Sequence, residues 1–178
     1  MNATAIQNDV DWLAEVGFDR SGLSEEVQNA CQDGGGFRSV WLFDDWAIKF
    51  DRRGRGDNQD EWNIYHSMPE EVQVLMAKPL AISGDGTVLI MERMEETLSR
   101  RADDQDTATR WADSFELILR KALFQHAGLS EEQIDVITHD NHNSNIAFDK
   151  AGNLRWIDYG VSPSDFEAFG TSGTWPTA

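Results

Sequence analysis

A lysine stands inside an apolar run, Trp46-Ala47-Ile48-Lys49-Phe50. Aromatic and branched residues at this density read as a strand. If Lys49 is buried with its neighbours, its ammonium requires an anionic partner, because an unpaired charge in a low-dielectric interior is prohibitive. The fold must then bring an anionic group against this strand.

The surrounding residues extend the pattern. Phe37–Trp41 and Trp46–Phe50, separated by Phe43-Asp44-Asp45, have the grammar of a hairpin. Upstream, Ser24 can cap a short helix over 24–32 that stops at Gly34-Gly35-Gly36. Asn58–Met68 carries Trp62, Ile64, Tyr65 and Met68 at helical spacing until Pro69 blocks continuation. Leu80–Ile82 and Val88–Met91 flank Gly84-Asp85-Gly86, which makes a sheet of at least four strands. Thr107–Gln125 is a long helix with Trp111, Phe115, Ile118 and Ala122 on one face, ended by Gly128. Ser130 with Gln133 forms a capping box for a short helix before Val136-Ile137. Asn145–Phe148 and Leu154–Ile157 make a second hairpin around Lys150-Ala151-Gly152-Asn153. The last eighteen residues read as surface-wrapping or partly disordered chain.

The formal charge of −17 argues against a nucleic acid as a specific partner, and it suits a protein that binds a basic surface. One stretch runs the other way: residues 37–56 are net positive, with Arg38, Lys49, Arg52, Arg53 and Arg55, and would welcome an anionic ligand or form a solvated hairpin tip. A single cysteine, Cys31, excludes an internal disulfide framework and a cysteine zinc cluster, and points to a reducing cytoplasm. No apolar run approaches the roughly 20 residues of a membrane span, and the first twenty residues lack a leader pattern.

The sharpest cluster of reactive side chains is Thr138-His139-Asp140-Asn141-His142-Asn143-Ser144-Asn145, followed by Asp158-Tyr159-Gly160. Two acids and an amide on the ends of hairpin strands offer hard oxygen ligands to a divalent cation that also carries a phosphate. His139, Asp140 and His142 could alternatively bind a metal directly, and His139 also fits a hydrogen-bonded structural role. Trp62, Trp111 and Trp156 read as core or interface residues, and Cys31 as structural.

Taken together, these segments resemble the protein-kinase-like superfamily. Gly34-Gly35-Gly36-Phe37-Arg38-Ser39-Val40-Trp41 resembles a glycine-rich loop over ATP phosphates, with Ser39 where the third glycine would stand. Ala47-Ile48-Lys49 resembles the end of the V-A-I-K strand, Asp140 and Asn145 have the spacing of the catalytic-loop pair, and Asp158-Tyr159-Gly160 resembles D-F-G. The D-x-H-x-x-N form is closer to aminoglycoside and choline phosphotransferases and to small phage or prokaryotic kinases than to eukaryotic enzymes.

The resemblance implies an α+β fold in one domain: an antiparallel-sheet N-lobe at about 24–94, an abridged helical C-lobe at about 95–165 and a tail over 166–178. It implies ATP and Mg2+ as cofactors. Lys49 would hold the α- and β-phosphates and pair with Glu61, with Glu70 and Glu71 as alternatives. Asp140 would handle the proton of the attacking hydroxyl, His142 joins the catalytic candidates, and Asn145 and Asp158 would hold magnesium. Gly34, Gly35, Gly36 and Ser39 would line the phosphates, and Glu92 and Met94 belong to a hinge, Met91–Met94, at the adenine.

The expected activity is phosphoryl transfer to a protein hydroxyl or to the chain itself. Its alternative is a catalytically silent, kinase-shaped acidic protein that sequesters a host protein or mimics nucleic acid. Small-molecule phosphorylation is a third option, weakened by the short chain after Gly160. That brevity also leaves the apolar face of the 107–125 helix to be covered by the tail, by Trp175 or by another chain, so dimerisation or a host protein partner is expected.

Overall fold

In the computed structural model, residues 32–34, 38–43, 45–51, 56–139 and 141–159 are described. Strand β3 (Trp46–Asp51) lies at the centre of an antiparallel five-stranded sheet in the order β1-β2-β3-β5-β4. Its neighbours are β2 (Arg38–Leu42) and β5 (Val88–Glu92), with β1 (Gln32–Gly34) and β4 (Pro79–Ile82) at the edges.

Alternation along β3 sorts its side chains onto two faces. Ile48 packs with Trp41, Ala81, Val88 and Ile90 in an apolar cluster flanked by Trp46 and Phe50. Ala47, Lys49 and Asp51 occupy the opposite face and are also buried. The period of two therefore buries a lysine and an aspartate as a consequence of burying the strand.

The β2–β3 turn closes with the Phe43 N–H donating to the Trp46 carbonyl at 2.8 Å. Between β4 and β5, one Asp85 oxygen accepts from the Ser83 hydroxyl at 2.7 Å and from the Thr87 amide at 3.0 Å. The Thr87 amide above all, with the Ser83 hydroxyl, holds the Asp85 carboxyl below its ordinary value.

The sequence pattern extends a helix through Gln32, whereas the structure pairs Gln32 with Trp41, Asp33 with Val40 and Gly34 with Ser39. Three glycines end a helix and also make a tight turn, and the free edge of β2 decides for pairing. The rest of that expected helix, 24–31, lies outside the described residues, as do the Arg52–Arg55 cluster and the tail.

Helix α1 (Asp57–Ser67) follows β3 directly. The buried Asp51 carboxylate accepts from the Gly56 N–H at 2.9 Å, and Gly56 adopts φ +88°. A Cβ at Gly56 would meet nothing within 4 Å, so Gly56→Ala suffers only the backbone penalty of a left-handed residue. That substitution is expected to destabilise the fold by about 1–2 kcal/mol in urea denaturation.

The described residues fall into two compact units, one reaching to Trp62 and including Lys78–Arg93, the other comprising 63–77 and the chain from Met94. In the second unit, α1 ends at Ser67 and Pro69 starts the short α2 (Glu70–Gln73). A three-stranded antiparallel sheet follows the order β6 (Glu96–Thr97), β7 (Ile146–Phe148), β8 (Leu154–Trp156). The remaining helices are α3 (Leu98–Arg101), α4 (Gln105–Gln125) and α5 (Glu131–Thr138).

The Asp104 side chain caps α4 at Thr107 N, which starts the helix two residues before the expected Thr107. Ser130 and Gln133 complete the capping box of α5, which runs through Val136-Ile137 and buries both. The buried stripe of α4 is Ala108, Phe115, Leu119, Ala122 and Leu123. Trp111 and Ile118, expected on that face, remain 42% and 56% exposed. They flank the stripe, and Trp111 rests edge-on against Phe148 with ring centroids 6.2 Å apart. No helix among the described residues is long and apolar enough to cross a membrane.

Candidate functional site

The carboxylate that Lys49 requires is Glu61. Lys49 Nζ donates to Glu61 Oε1 at 2.7 Å and to Oε2 at 2.9 Å. The side chains are 8% and 0% exposed, so the pair is held almost entirely out of water. Glu61 lies in the second turn of α1, on the helix that the Asp51–Gly56 closure sets beside β3. Glu70 and Glu71, the alternatives, are exposed on α2.

Two further candidates share one end of the β7–β8 hairpin. Asn145 immediately precedes β7 and is buried, and Asp158 follows β8 by two residues. The Ile157 N–H donates to the Asn145 carbonyl at 2.9 Å, which ties together the backbone that carries both side chains. The Asn145 N–H in turn donates to the His142 carbonyl at 2.8 Å.

Downstream, Tyr159 is buried, stacks on Trp156 at 5.4 Å and donates its hydroxyl to the Ala77 carbonyl at 2.7 Å. Trp156 is fixed as well, by a parallel bridge to Met76. Asp158 thus sits between anchored residues. An amide oxygen and a carboxylate at one hairpin end are a donor set suited to magnesium, which is content with one or two protein ligands and keeps its waters. Among the described residues no three His, Cys, Asp or Glu side chains gather as a metal cluster. His139 and His142 are exposed, and His142 Nδ1 accepts the Ser144 N–H at 3.2 Å. Asp140 lies outside the described residues.

Asp149 locks the opposite end of the hairpin. Its oxygens accept from the Ala151 and Asn153 amides at 2.9 and 2.8 Å and from Arg155 Nη2 at 2.7 Å. Burial by itself would raise the Asp149 carboxyl; the Asn153 donors and the Arg155 guanidinium outweigh it and hold the pKa at about 2. The folded value lies below the unfolded one of about 3.9, so ionised Asp149 stabilises the hairpin above about pH 4. This contribution fades as pH falls through about 2. A carboxyl chemical-shift titration is expected to give a midpoint near 2, and Asp149→Asn to remove this part of the acid sensitivity.

The remaining candidates are more dispersed. Gly34 and Ser39 face each other across the β1–β2 ladder, and Gly35 and Gly36 lie outside the described residues. Ser39 pairs with Phe50 and shares its face, opposite to the one bearing Lys49. Glu92 ends β5, and its side chain accepts the Lys78 N–H at 2.7 Å. Met94 is half-buried, in the short connection between β5 and β6. Two buried polar residues that the sequence reading does not single out, Asp51 and Asn58, stand on either side of Gly56. Each is one polar residue at a strand end or helix start, where exposure is the ordinary expectation.

No protein-family model matches the chain, and no curated protein does. Among solved structures it is similar to the choline kinase LicA from Streptococcus pneumoniae, at 13% identity and TM-score 0.43, over 98% of this chain and 82% of that one. It is also similar to the Helicobacter pylori proinflammatory kinase CtkA, at 13% identity and TM-score 0.34, over 73% of this chain and 56% of that one. Both of those proteins are named as kinases. At this identity neither assigns it an activity, and the functional reading rests on its own residues.

Proposed function

We propose that the chain is an Mg-ATP-dependent phosphotransferase of the kinase-like type, acting on a protein hydroxyl or on itself. The observation that carries this reading is the buried Lys49–Glu61 pair. Two apolar residues of similar volume would serve stability as well or better, because desolvating two charges offsets most of their attraction. A buried lysine paired to a carboxylate in a central strand is instead suited to an anionic ligand such as a polyphosphate.

In this reading Glu61 orients the Lys49 ammonium toward the α- and β-phosphates, and the backbone of Gly34, Gly35, Gly36 and Ser39 covers them. The backbone of the Met91–Met94 segment, with Glu92 and Met94, would meet the adenine edge. Asp140 would accept or orient the proton of the attacking hydroxyl, with His142 beside it, and Asn145 and Asp158 would hold magnesium. The ion, when bound, neutralises charge on the β- and γ-phosphates. The protein's contribution is placement and electrostatics, with no covalent intermediate.

Equilibrium binding of a fluorescent ATP analogue tests the reading. Saturable binding that requires magnesium, weakened at least about tenfold by Lys49→Met, is expected, a loss of about 1.4 kcal/mol. Absence of binding at millimolar nucleotide would overturn it. The charge of −17 favours one second reading, an acidic protein that sequesters a basic partner. That protein would bind its partner without nucleotide.

A further inference from the structure

Asn58 is wholly buried in the first turn of α1, three residues before Glu61. Its amide nitrogen donates to two main-chain carbonyls, that of Lys49 itself at 3.2 Å and that of Thr87 at 2.9 Å. Its Oδ1 is buried with no partner. Leaving a buried acceptor unpaired costs about 1–3 kcal/mol, which an apolar side chain would avoid if this position served packing alone.

The geometry ties one side chain to both members of the ion pair. Residues i and i+3 share a face of a helix, so Asn58 and Glu61 face β3 together. One of them grips the peptide of Lys49, the other its ammonium. A helix rises 1.5 Å per residue, and a hydrogen bond tolerates only a few tenths of an ångström, so a slip of α1 by a single residue would part Glu61 from Nζ. The Asp51–Gly56 contact holds the start of the helix to the end of β3. The Asn58 amide adds two anchor points deeper along the helix, one carbonyl in β3 and one in the turn that leads into β5.

We infer that Asn58 is a positioning residue: it registers α1 against β3 so that Glu61 meets Lys49. Its consequence for nucleotide binding rests on the proposed function; its effect on the ion pair does not.

The test is the rate at which an amine-acylating reagent modifies Lys49 in the folded full chain, read by peptide mass spectrometry. Val88→Ala, in the apolar cluster on the opposite face of the sheet, serves as the stability-matched control. Asn58→Ala is expected to speed Lys49 modification about tenfold, the scale set by losing two ordinary hydrogen bonds. Val88→Ala, at equal or greater loss of stability, is expected to leave it near the wild-type rate. If Asn58→Ala does not fold, Asn58→Asp, of the same shape but deprived of the paired donor, gives the same comparison.

Equal rates in wild type and the Asn58 variant, or equal acceleration by Val88→Ala, would reduce Asn58 to a structural staple and overturn the inference. A wild-type protein that protects Lys49 yet binds no ATP analogue would instead count against the phosphotransferase reading alone.

Discussion

Glu61→Leu is expected to lower the stability of the chain by about 3–5 kcal/mol, measured by chemical denaturation. The substitution leaves the Lys49 ammonium 8% exposed with its carboxylate partner gone, in a strand whose other face is apolar. Lys49→Met is expected to cost a similar amount for the opposite reason, since Glu61 is then a carboxylate buried at 0% exposure without its ammonium. The double variant Lys49→Met/Glu61→Leu removes both charges and is expected to recover most of the loss. It is also expected to lose nucleotide binding entirely. This split between restored stability and absent binding is the signature of a pair retained for a ligand. A double variant whose loss equals the sum of the two single losses would show that the two side chains do not act on each other.

The largest effect on activity is expected at Asp140. Asp140→Asn keeps the shape of the side chain and removes its capacity to take a proton, so the phosphoryl-transfer rate is expected to fall by about 10²–10⁴. Affinity for the ATP analogue is expected to stay within a factor of two or so, because the lost interaction belongs to the transition state. Asp158→Ala is expected to behave differently, with a higher magnesium requirement accompanying the lower rate. Steady-state kinetics over a magnesium series separates the two. Equal falls in rate and affinity for Asp140→Asn would assign Asp140 to ligand binding.

Local patterns were the legible part of this sequence. The β2–β3 and β7–β8 hairpins, the stop at Pro69 and the Ser130–Gln133 capping box each depend on residues within one or two turns of each other, and each stands in the structure close to where the pattern puts it. The need of Lys49 for an anionic partner was legible too, because burial of a charge carries its own demand.

What depended on distant contacts was not. Gln32 goes to a strand because β2 offers an open edge, a fact absent from residues 24–36 taken alone. Trp111 and Ile118 fall beside the buried stripe of α4 because the neighbours of a helix, and not its own periodicity, choose which flank is covered. Asn58 escaped notice because an asparagine in a first helical turn reads as an ordinary solvated residue, and only the two carbonyls it meets give it a task. Of the candidate site, the sequence offers residue types at given spacings, while burial and hydrogen-bond partners belong to the fold.

The most direct measurement is transfer of labelled γ-phosphate from Mg-ATP into the purified protein or into a cell lysate, with Asp158→Ala as the comparison. The account predicts a labelled band for the wild type that disappears when magnesium is chelated and is lost in the variant. Labelling of neither the protein nor any lysate component above the variant, at millimolar ATP with magnesium or manganese, would contradict it.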